Sequence, residues 1–166
     1  MDLQTLNQLP ANEAHHHFMQ CCTAERWVEQ MVATRPFESI EQLREMADQI
    51  WQNCSEEDFL QAFDGHPKIG DVNSLRAKYA NTKALASGEQ SAVNVASEEV
   101  LQALSKGNAD YQEKFGFIFI VCATGKSAEQ MLELLQARLP NDRATELKNA
   151  AEEQRKIFHI RIDKLL

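Results

Sequence analysis

The chain has 166 residues and carries 25 acidic against 17 basic side chains, which gives a formal net charge of -8. This acidic balance, without any basic cluster, argues against nucleic acid as a partner. No apolar run approaches the roughly 20 residues that cross a bilayer, and the N-terminus lacks a basic region followed by an apolar one. We therefore expect a cytoplasmic protein without a membrane partner, and the length predicts a single domain, residues 1–166.

The cysteine and histidine pattern predicts neither a metal site nor a disulfide. The four cysteines lack CxxC spacing, and without an export signal a disulfide framework is not expected. The consecutive residues His15 to His17 would point about 100° apart in a helix, so they cannot converge on one ion. We expect reduced, mostly buried thiols at Cys21, Cys22, Cys54 and Cys122.

Helical periodicity dominates the chain. Serines followed by a polar or acidic first turn predict the starts of several helices. These serines are Ser39, Ser55, Ser87 and Ser127. Gly65 is expected to end the helix that follows Ser55, and a last helical pattern runs from Asp142 almost to the C-terminus.

One segment departs from this pattern: FIFIVCA, residues 117–123, has the composition of a strand. A single strand has nothing to pair with. The sequence therefore predicts an all-α fold, a single-domain helical bundle with one short buried extended segment at 117–123.

His66 is the first candidate functional residue. It lies in FDGHPKIG, residues 63–70, directly before Pro67, and a proline keeps the preceding residue out of the helical conformation. One interpretation is that the Gly-His-Pro turn only ends a helix. The other is proton transfer by a rigidly held imidazole, whose unperturbed pKa near ~6.5 suits neutral pH.

Glu89 is the second candidate, because its spacing puts a carboxylate on the apolar stripe of a helix. That stripe runs through Val93, Ala96, Val100 and Leu104. The alternative is structural: a glutamate in the first turn complements the helix dipole, and Ser87 with Gln90 already forms a capping box.

Arg161 is the third candidate, and it lies on the apolar face of the last helix. That face contains Leu147, Ala150, Ala151, Ile157, Phe158 and Leu165. An inward guanidinium needs an anion, either a structural carboxylate or the carboxylate of a ligand. One histidine, one carboxylate and one arginine would suit a small anionic substrate, although spacing alone does not show that they meet.

Four segments resemble, in this order, the signature segments of 2-oxo-4-hydroxy-4-carboxy-5-ureidoimidazoline (OHCU) decarboxylases: GHPKIG, SGEQSAV, YQEKFGFIFIVCATGKS and IRIDKL. Trp27 and the RPF stretch from Arg35 to Phe37 are also similar to that family. The resemblance covers nearly the whole chain. It implies an all-helical homodimeric enzyme that uses no cofactor and no metal and catalyses the last step from urate to allantoin.

The resemblance also implies roles for individual residues. His66 would be the catalytic histidine, Glu89 the carboxylate that works with it, and Arg161 the anchor for the substrate. Gln90 would hydrogen-bond the ring or the ureido group, and Pro67 would shape the pocket.

Two further sets of substrate contacts follow from the same resemblance. Backbone groups would hold the imidazoline amides, at Phe117, Ile118, Phe119 and Ile120. Many members carry a serine three residues before the glutamate. Here that position is Ala86, and Ser87 lies one residue later, so the transfer of a substrate-binding role to Ser87 is the weakest.

Two alternatives from other classes remain. A helical binding module would explain the capping serines and apolar stripes equally well, but it would show an exposed apolar groove and would not need an inward Arg161 or a preset His66. A hydrolase of a related ureido or imidazole compound is the other. Mass balance distinguishes it, since only the decarboxylase releases CO2.

Overall fold

The structure, a computed structural model, is built from α-helices joined by short connections. It describes residues 1–67, 71–77 and 90–166, without the side chains of 90–97. Within these ranges no residue lies in a β-strand, so the predicted all-α fold is confirmed. Ser87 and Glu89 lie outside the described residues, and so does the side chain of Gln90.

The helices are α1 (Leu3–Gln8), α2 (Ala11–Cys21), α3 (Glu25–Thr34), α4 (Ile40–Gln52), α5 (Glu56–Asp64), α6 (72–77), α7 (Gln90–Phe115), α8 (Ala128–Arg138) and α9 (Arg143–Leu165). The predicted helix starts at Ser39, Ser55 and Ser127 are confirmed. In the described part of the chain, no helix is both long and apolar enough to span a membrane.

The capping serines act through the hydrogen bonds that their positions predict. At Ser55 and Ser127 the capping box is complete, with reciprocal bonds between the cap and the third helical residue. At Ser39 only half of it forms, because Gln42 Oε1 accepts from the N–H of Glu38 at 2.6 Å instead. Local chemistry thus fixes where these helices begin.

Contacts between residues define two compact units. Unit 1 contains Met1–His66, Ile120–Cys122 and Leu147–Leu166, and unit 2 contains Pro67–Phe119 and Ala123–Glu146. The extent of the domain, predicted as residues 1–166, stays a prediction.

The core of unit 1 is organised by two tryptophans that contact α9. The rings of Trp27 and Trp51 lie 5.0 and 5.9 Å from the ring of Phe158. Each indole also donates a hydrogen bond to a backbone carbonyl, Trp27 to Ala47 at 3.1 Å and Trp51 to Ala151 at 3.0 Å. Buried aromatic pairs with satisfied N–H groups fix both distance and orientation. They hold α9 in place against α3 and α4.

Unit 2 contains a buried carboxylate, Glu146, which is 0% exposed. It accepts hydrogen bonds from Tyr111 Oη at 2.6 Å, Arg138 Nε at 2.7 Å and Asn141 Nδ2 at 2.9 Å. A buried charge is stable only when it is paired in this way. The Arg138 guanidinium also lies 4.6 Å from the centre of the Phe119 ring, so the same network positions that ring.

The segment 117–123 was predicted to be buried and extended. Residues 118–123 lie in neither a helix nor a strand. Phe117 and Ile120 are buried, and the remaining side chains are partly exposed. Phe117 to Phe119 belong to unit 2, whereas Ile120 belongs to unit 1.

Gly65 ends α5 as predicted. The position requires glycine for a steric reason, and not because of its backbone conformation. Its φ of -73° is one that any residue adopts. A Cβ at this position would instead overlap the side chain of Thr23. The Thr23 hydroxyl donates to the carbonyls of Gln61 and Ala62 at 3.1 and 3.3 Å, so it is not free to move away.

We expect Gly65→Ala to lower the free energy of unfolding by about 1–3 kcal/mol, the usual cost of overpacking. Urea denaturation measures the loss. Thr23→Ala combined with Gly65→Ala should lose less than the sum of the two single variants, because the first change removes Oγ1 and Cγ2 of Thr23, the two atoms that the new methyl group meets most closely. Additive losses would show that the clash is not the cause.

Candidate functional site

His66 lies in the turn that follows α5. Its backbone N–H donates to the carbonyl of Phe63 at 3.2 Å, directly after Gly65 ends the helix and directly before Pro67. The side chain is half-buried. The turn thus holds the imidazole at a place fixed by both neighbours in the chain.

The imidazole of His66 makes a hydrogen bond to α9. His66 Nε2 lies 2.5 Å from Oε1 of Gln154, a side chain that is 0% exposed. A carbonyl oxygen only accepts, so the ring nitrogen that faces it carries the proton. The neutral ring therefore has its lone pair on Nδ1.

The surroundings of His66 favour its uncharged form. Burial lowers the pKa of the imidazole below its ordinary value of 6.5, and the positive charge of Arg161 lowers it further, while the hydrogen bond to Gln154 acts in the opposite direction. The net direction is down. At neutral pH the ring is therefore uncharged and able to accept a proton.

Gln154 is a residue of this site that reasoning from sequence missed. It lies in a row of α9 residues at a spacing of four, all of them 0% exposed. The row is Ala150, Gln154, Phe158 and Ile162. The signal was available: a polar residue four positions after Ala150 and four before Phe158 had to be buried if its neighbours were.

Arg161 lies on the flank of α9 rather than at the centre of its buried face, and its side chain is half-buried. Its Nη1 donates to the backbone carbonyl of Cys21 at 3.3 Å, which uses one of five guanidinium N–H groups. Among the described residues, no carboxylate lies within salt-bridge distance of Arg161. In that part of the chain, no structural carboxylate therefore explains the inward position of this arginine.

Arg161 also lines a cleft of 540 Å³ in unit 1. The other lining residues come from the two ends of the unit, namely Met1, Thr5, His17, Gln20, Cys21, Lys164 and Leu165. Arg161 and Lys164 give the cleft two positive charges. Such a surface suits a small anion.

The cysteines near this cleft are unreactive at neutral pH. All four cysteines of the chain are free, as predicted; Cys21 and Cys22 are buried, and Cys54 and Cys122 are partly exposed. Burial raises the pKa of Cys21 to about 11, against the opposing charge of Arg161, and that of Cys22 to about 12. These thiols stay protonated and do not act as nucleophiles at neutral pH.

The first two histidines of the run on α2 make ordinary surface contacts. His15 Nε2 lies 3.2 Å from a carboxylate oxygen of Glu25, and His16 Nε2 lies 3.2 Å from the side-chain amide of Gln20. In the described ranges, no three side chains of His, Cys, Asp or Glu form a group that could hold a metal ion.

The structure brings two of the predicted site residues together. His66 and Arg161 lie in unit 1, and the charge of Arg161 acts on the imidazole. Glu89 and Ser87 lie outside the described residues. Gln90 begins α7, with its side chain outside the description. The predicted backbone contacts of 117–119 belong to unit 2.

Comparison with known proteins gives a consistent result. The model of the family described as OHCU decarboxylase matches residues 7–163. The uric acid degradation bifunctional protein TTL of Arabidopsis thaliana is 37% identical over 146 residues, 87% of this chain and 45% of that protein. A 2-oxo-4-hydroxy-4-carboxy-5-ureidoimidazoline decarboxylase of Haloferax volcanii is 26% identical over 98% of this chain and 94% of its own length.

A solved relative shares the fold. The crystal structure of an OHCU decarboxylase in the presence of (S)-allantoin matches with a TM-score of 0.69 at 35% identity, covering 89% of this chain and 95% of that one. The chain spans less than half of the first two relatives, 45% of the Arabidopsis protein and 32% of a bifunctional protein from Bacillus sp. (strain TB-90). Since the family match runs over nearly the whole sequence and the solved relative has the same helical architecture, the chain belongs to the OHCU decarboxylase family.

Proposed function

We propose that this chain decarboxylates 2-oxo-4-hydroxy-4-carboxy-5-ureidoimidazoline to (S)-allantoin without a cofactor. The observation that carries the proposal is a half-buried, uncharged imidazole at His66 beside the cation of Arg161, which has no carboxylate partner among the described residues. Family membership supports the same reaction.

The substrate supplies its own electron sink. Its carboxylate is attached to C4, next to a C5=N double bond. When the C4–carboxylate bond breaks, its electron pair forms a C4=C5 bond, the C5=N pair moves to nitrogen, and that nitrogen takes up a proton. The protein has to orient the bond that breaks and move protons, tasks that positioned side chains perform.

Arg161 would bind the substrate carboxylate. Its planar guanidinium can donate two parallel hydrogen bonds to a carboxylate, and the bond to Cys21 O leaves other N–H groups for this purpose. Holding the carboxylate out of the ring plane would align the breaking bond with the C5=N double bond. Lys164, which also lines the cleft, would add to the attraction of the anion.

His66 would carry the proton transfer, and Glu89 would work with it and contact the departing group. As the enol formed by loss of CO2 collapses, the C4 hydroxyl loses its proton and becomes a carbonyl, while C5 gains a proton on one face. His66 would take or share the hydroxyl proton. Protonation on a single face gives one enantiomer of allantoin.

The family resemblance supports the remaining assignments. Gln90 would hydrogen-bond the ring or the ureido group, Ser87 would contact the substrate, and Pro67 would shape the pocket. Backbone groups of residues 117–120 would hold the imidazoline amides. We also infer a homodimer in the cytoplasm.

The test is direct. The labile substrate is generated freshly from urate, its loss is followed by absorbance, (S)-allantoin is followed by circular dichroism, and released CO2 is quantified. We expect one CO2 for each substrate consumed and an excess of one enantiomer. Consumption of substrate without CO2 would indicate the hydrolase, and no acceleration over the spontaneous reaction would contradict the proposal.

A further inference from the structure

We propose that Gln154 is a positioning residue: its side-chain carbonyl accepts the Nε2–H of His66, fixes the imidazole as the Nε2-protonated tautomer and leaves Nδ1 as the proton acceptor. The proposal rests on the proposed function in that it assumes His66 is the group that moves protons. It adds which nitrogen of the imidazole accepts the proton, and which side chain determines that choice.

The geometry carries the assignment. Oε1 of Gln154 lies 2.5 Å from His66 Nε2, across 88 residues of sequence. A neutral imidazole has one N–H and one lone pair, and the partner of one nitrogen determines which nitrogen holds the proton. Because the partner here is an acceptor, the proton lies on Nε2.

Gln154 is itself held in place. It lies between Ala150 and Phe158 in the fully buried row of α9, and Phe158 contacts Trp27 and Trp51. A side chain enclosed in this way has little freedom to rotate. Its carbonyl therefore fixes not only the tautomer but also the plane of the imidazole.

The burial of this amide has a cost that packing does not explain. Nε2 of Gln154 is buried and has no hydrogen-bond partner among the described residues, and an unsatisfied buried donor destabilises the folded state. An apolar side chain of similar length would fill the same space without that cost. What the amide adds at this position is the acceptor for His66.

The neutrality of Gln154 also matters. A carboxylate in the same place would orient the ring but would also stabilise the imidazolium, as the aspartate of a serine-protease triad does. The amide orients the ring without adding a negative charge. The charge of Arg161 acts in the same sense, since it opposes protonation of His66.

The experiment compares wild type with Gln154→Met and Gln154→Glu in the full chain. Methionine keeps the length of the side chain and removes the acceptor. Glutamate keeps the acceptor and adds a charge. The tautomer is read from the ¹⁵N shifts of the His66 ring in labelled protein without substrate, and the His66→Asn variant assigns the signals.

We expect wild type to show a proton on Nε2. Gln154→Met should lose this preference and lower kcat by about 10- to 100-fold with little change in KM, as when outer hydrogen-bond partners of metal-binding histidines are removed. Gln154→Glu should keep the Nε2–H tautomer, move the acid limb of the pH–rate profile to higher pH, and exceed Gln154→Met in kcat above that limb.

Asn7→Leu is the structural control in unit 1. Asn7 exchanges two hydrogen bonds of 2.9 Å with the backbone of Phe37, so its loss lowers stability without touching His66. It should leave the tautomer and kcat unchanged.

Two results would overturn the proposal: a wild-type ring protonated on Nδ1, or a Gln154→Met variant with wild-type tautomer and kcat. The spectrum needs no turnover, so it tests Gln154 even if the proposed decarboxylation fails. If Gln154→Met does not fold, two measurements test the proposal. They are the tautomer of the wild-type ring, and the tautomer and acid limb of Gln154→Glu.

Discussion

We expect His66→Asn to reduce kcat by about 100-fold or more, since a positioned general acid or base contributes roughly 10²- to 10⁴-fold. Asparagine keeps a polar side chain in the turn after α5 but cannot take up a proton. The fold should survive, which circular dichroism and thermal unfolding check. The measurement is steady-state kinetics on freshly prepared substrate.

The matched control is His16→Asn. His16 is exposed on α2, and its ring contacts only the side chain of Gln20 among the hydrogen bonds that the structure describes. The same chemical change at that position should leave kcat unaltered. Wild-type turnover in a folded His66→Asn variant would remove His66 from the chemistry and leave the turn as a helix stop.

The pH dependence has a definite direction. Because the pKa of His66 is lowered from 6.5, the imidazole stays neutral, and kcat/KM should stay flat, until the pH falls below that value. Activity should then be lost as the ring is protonated. An acid limb centred above 6.5 would contradict the geometry.

The same shift affects stability. Between the lowered pKa and 6.5, an unfolded chain binds more protons at His66 than the folded chain does. Folding is then favoured by rising pH in that window, and stability falls as the pH drops through it. His66→Asn should make the free energy of unfolding less dependent on pH there.

We expect Arg161→Lys to raise KM by about tenfold or more, because hydrogen bonds to charged groups contribute about 1.5–3 kcal/mol. Lysine keeps the positive charge but loses the planar fork that matches a carboxylate. Arg155→Lys is the control on the same helix. Arg155 is paired with Glu152 at 2.8 Å and does not line the cleft, so KM should not change.

Arg161→Gln adds a second readout. It removes the charge that lowers the pKa of His66, so the acid limb of the pH–rate profile should move to higher pH. Arg161→Lys should leave that limb in place. If neither KM nor the acid limb responds to either change, Arg161 does not anchor the substrate.

The starts of three helices could be predicted from short stretches of sequence. Ser39, Ser55 and Ser127 cap helices as expected, because a serine hydroxyl meets the N–H three residues later whatever the rest of the chain does. The rigid turn at His66 is equally local. Family membership was also visible in four ordered segments.

The faces of α9 were harder to predict. Periodicity put Arg161 on the buried face, yet the fully buried row runs through Ala150, Gln154 and Phe158, and Arg161 lies beside it. Hydrophobic spacing locates an apolar stripe to within about one residue, or 100° of rotation. Which side of the stripe is buried is decided by the tryptophans that pack on it.

By itself the sequence determined the all-α class, the starts of three helices, the family and the candidacy of His66 and Arg161. Only the tertiary structure decided that Gln154 meets His66, that Gly65 is required by Thr23, and that Glu146 is buried among three donors. The reason is physical. Helix caps and periodicity depend on residues three or four apart, whereas these contacts join residues 88, 42 and up to 35 positions apart, which only the packing of helices brings within hydrogen-bond or van der Waals distance.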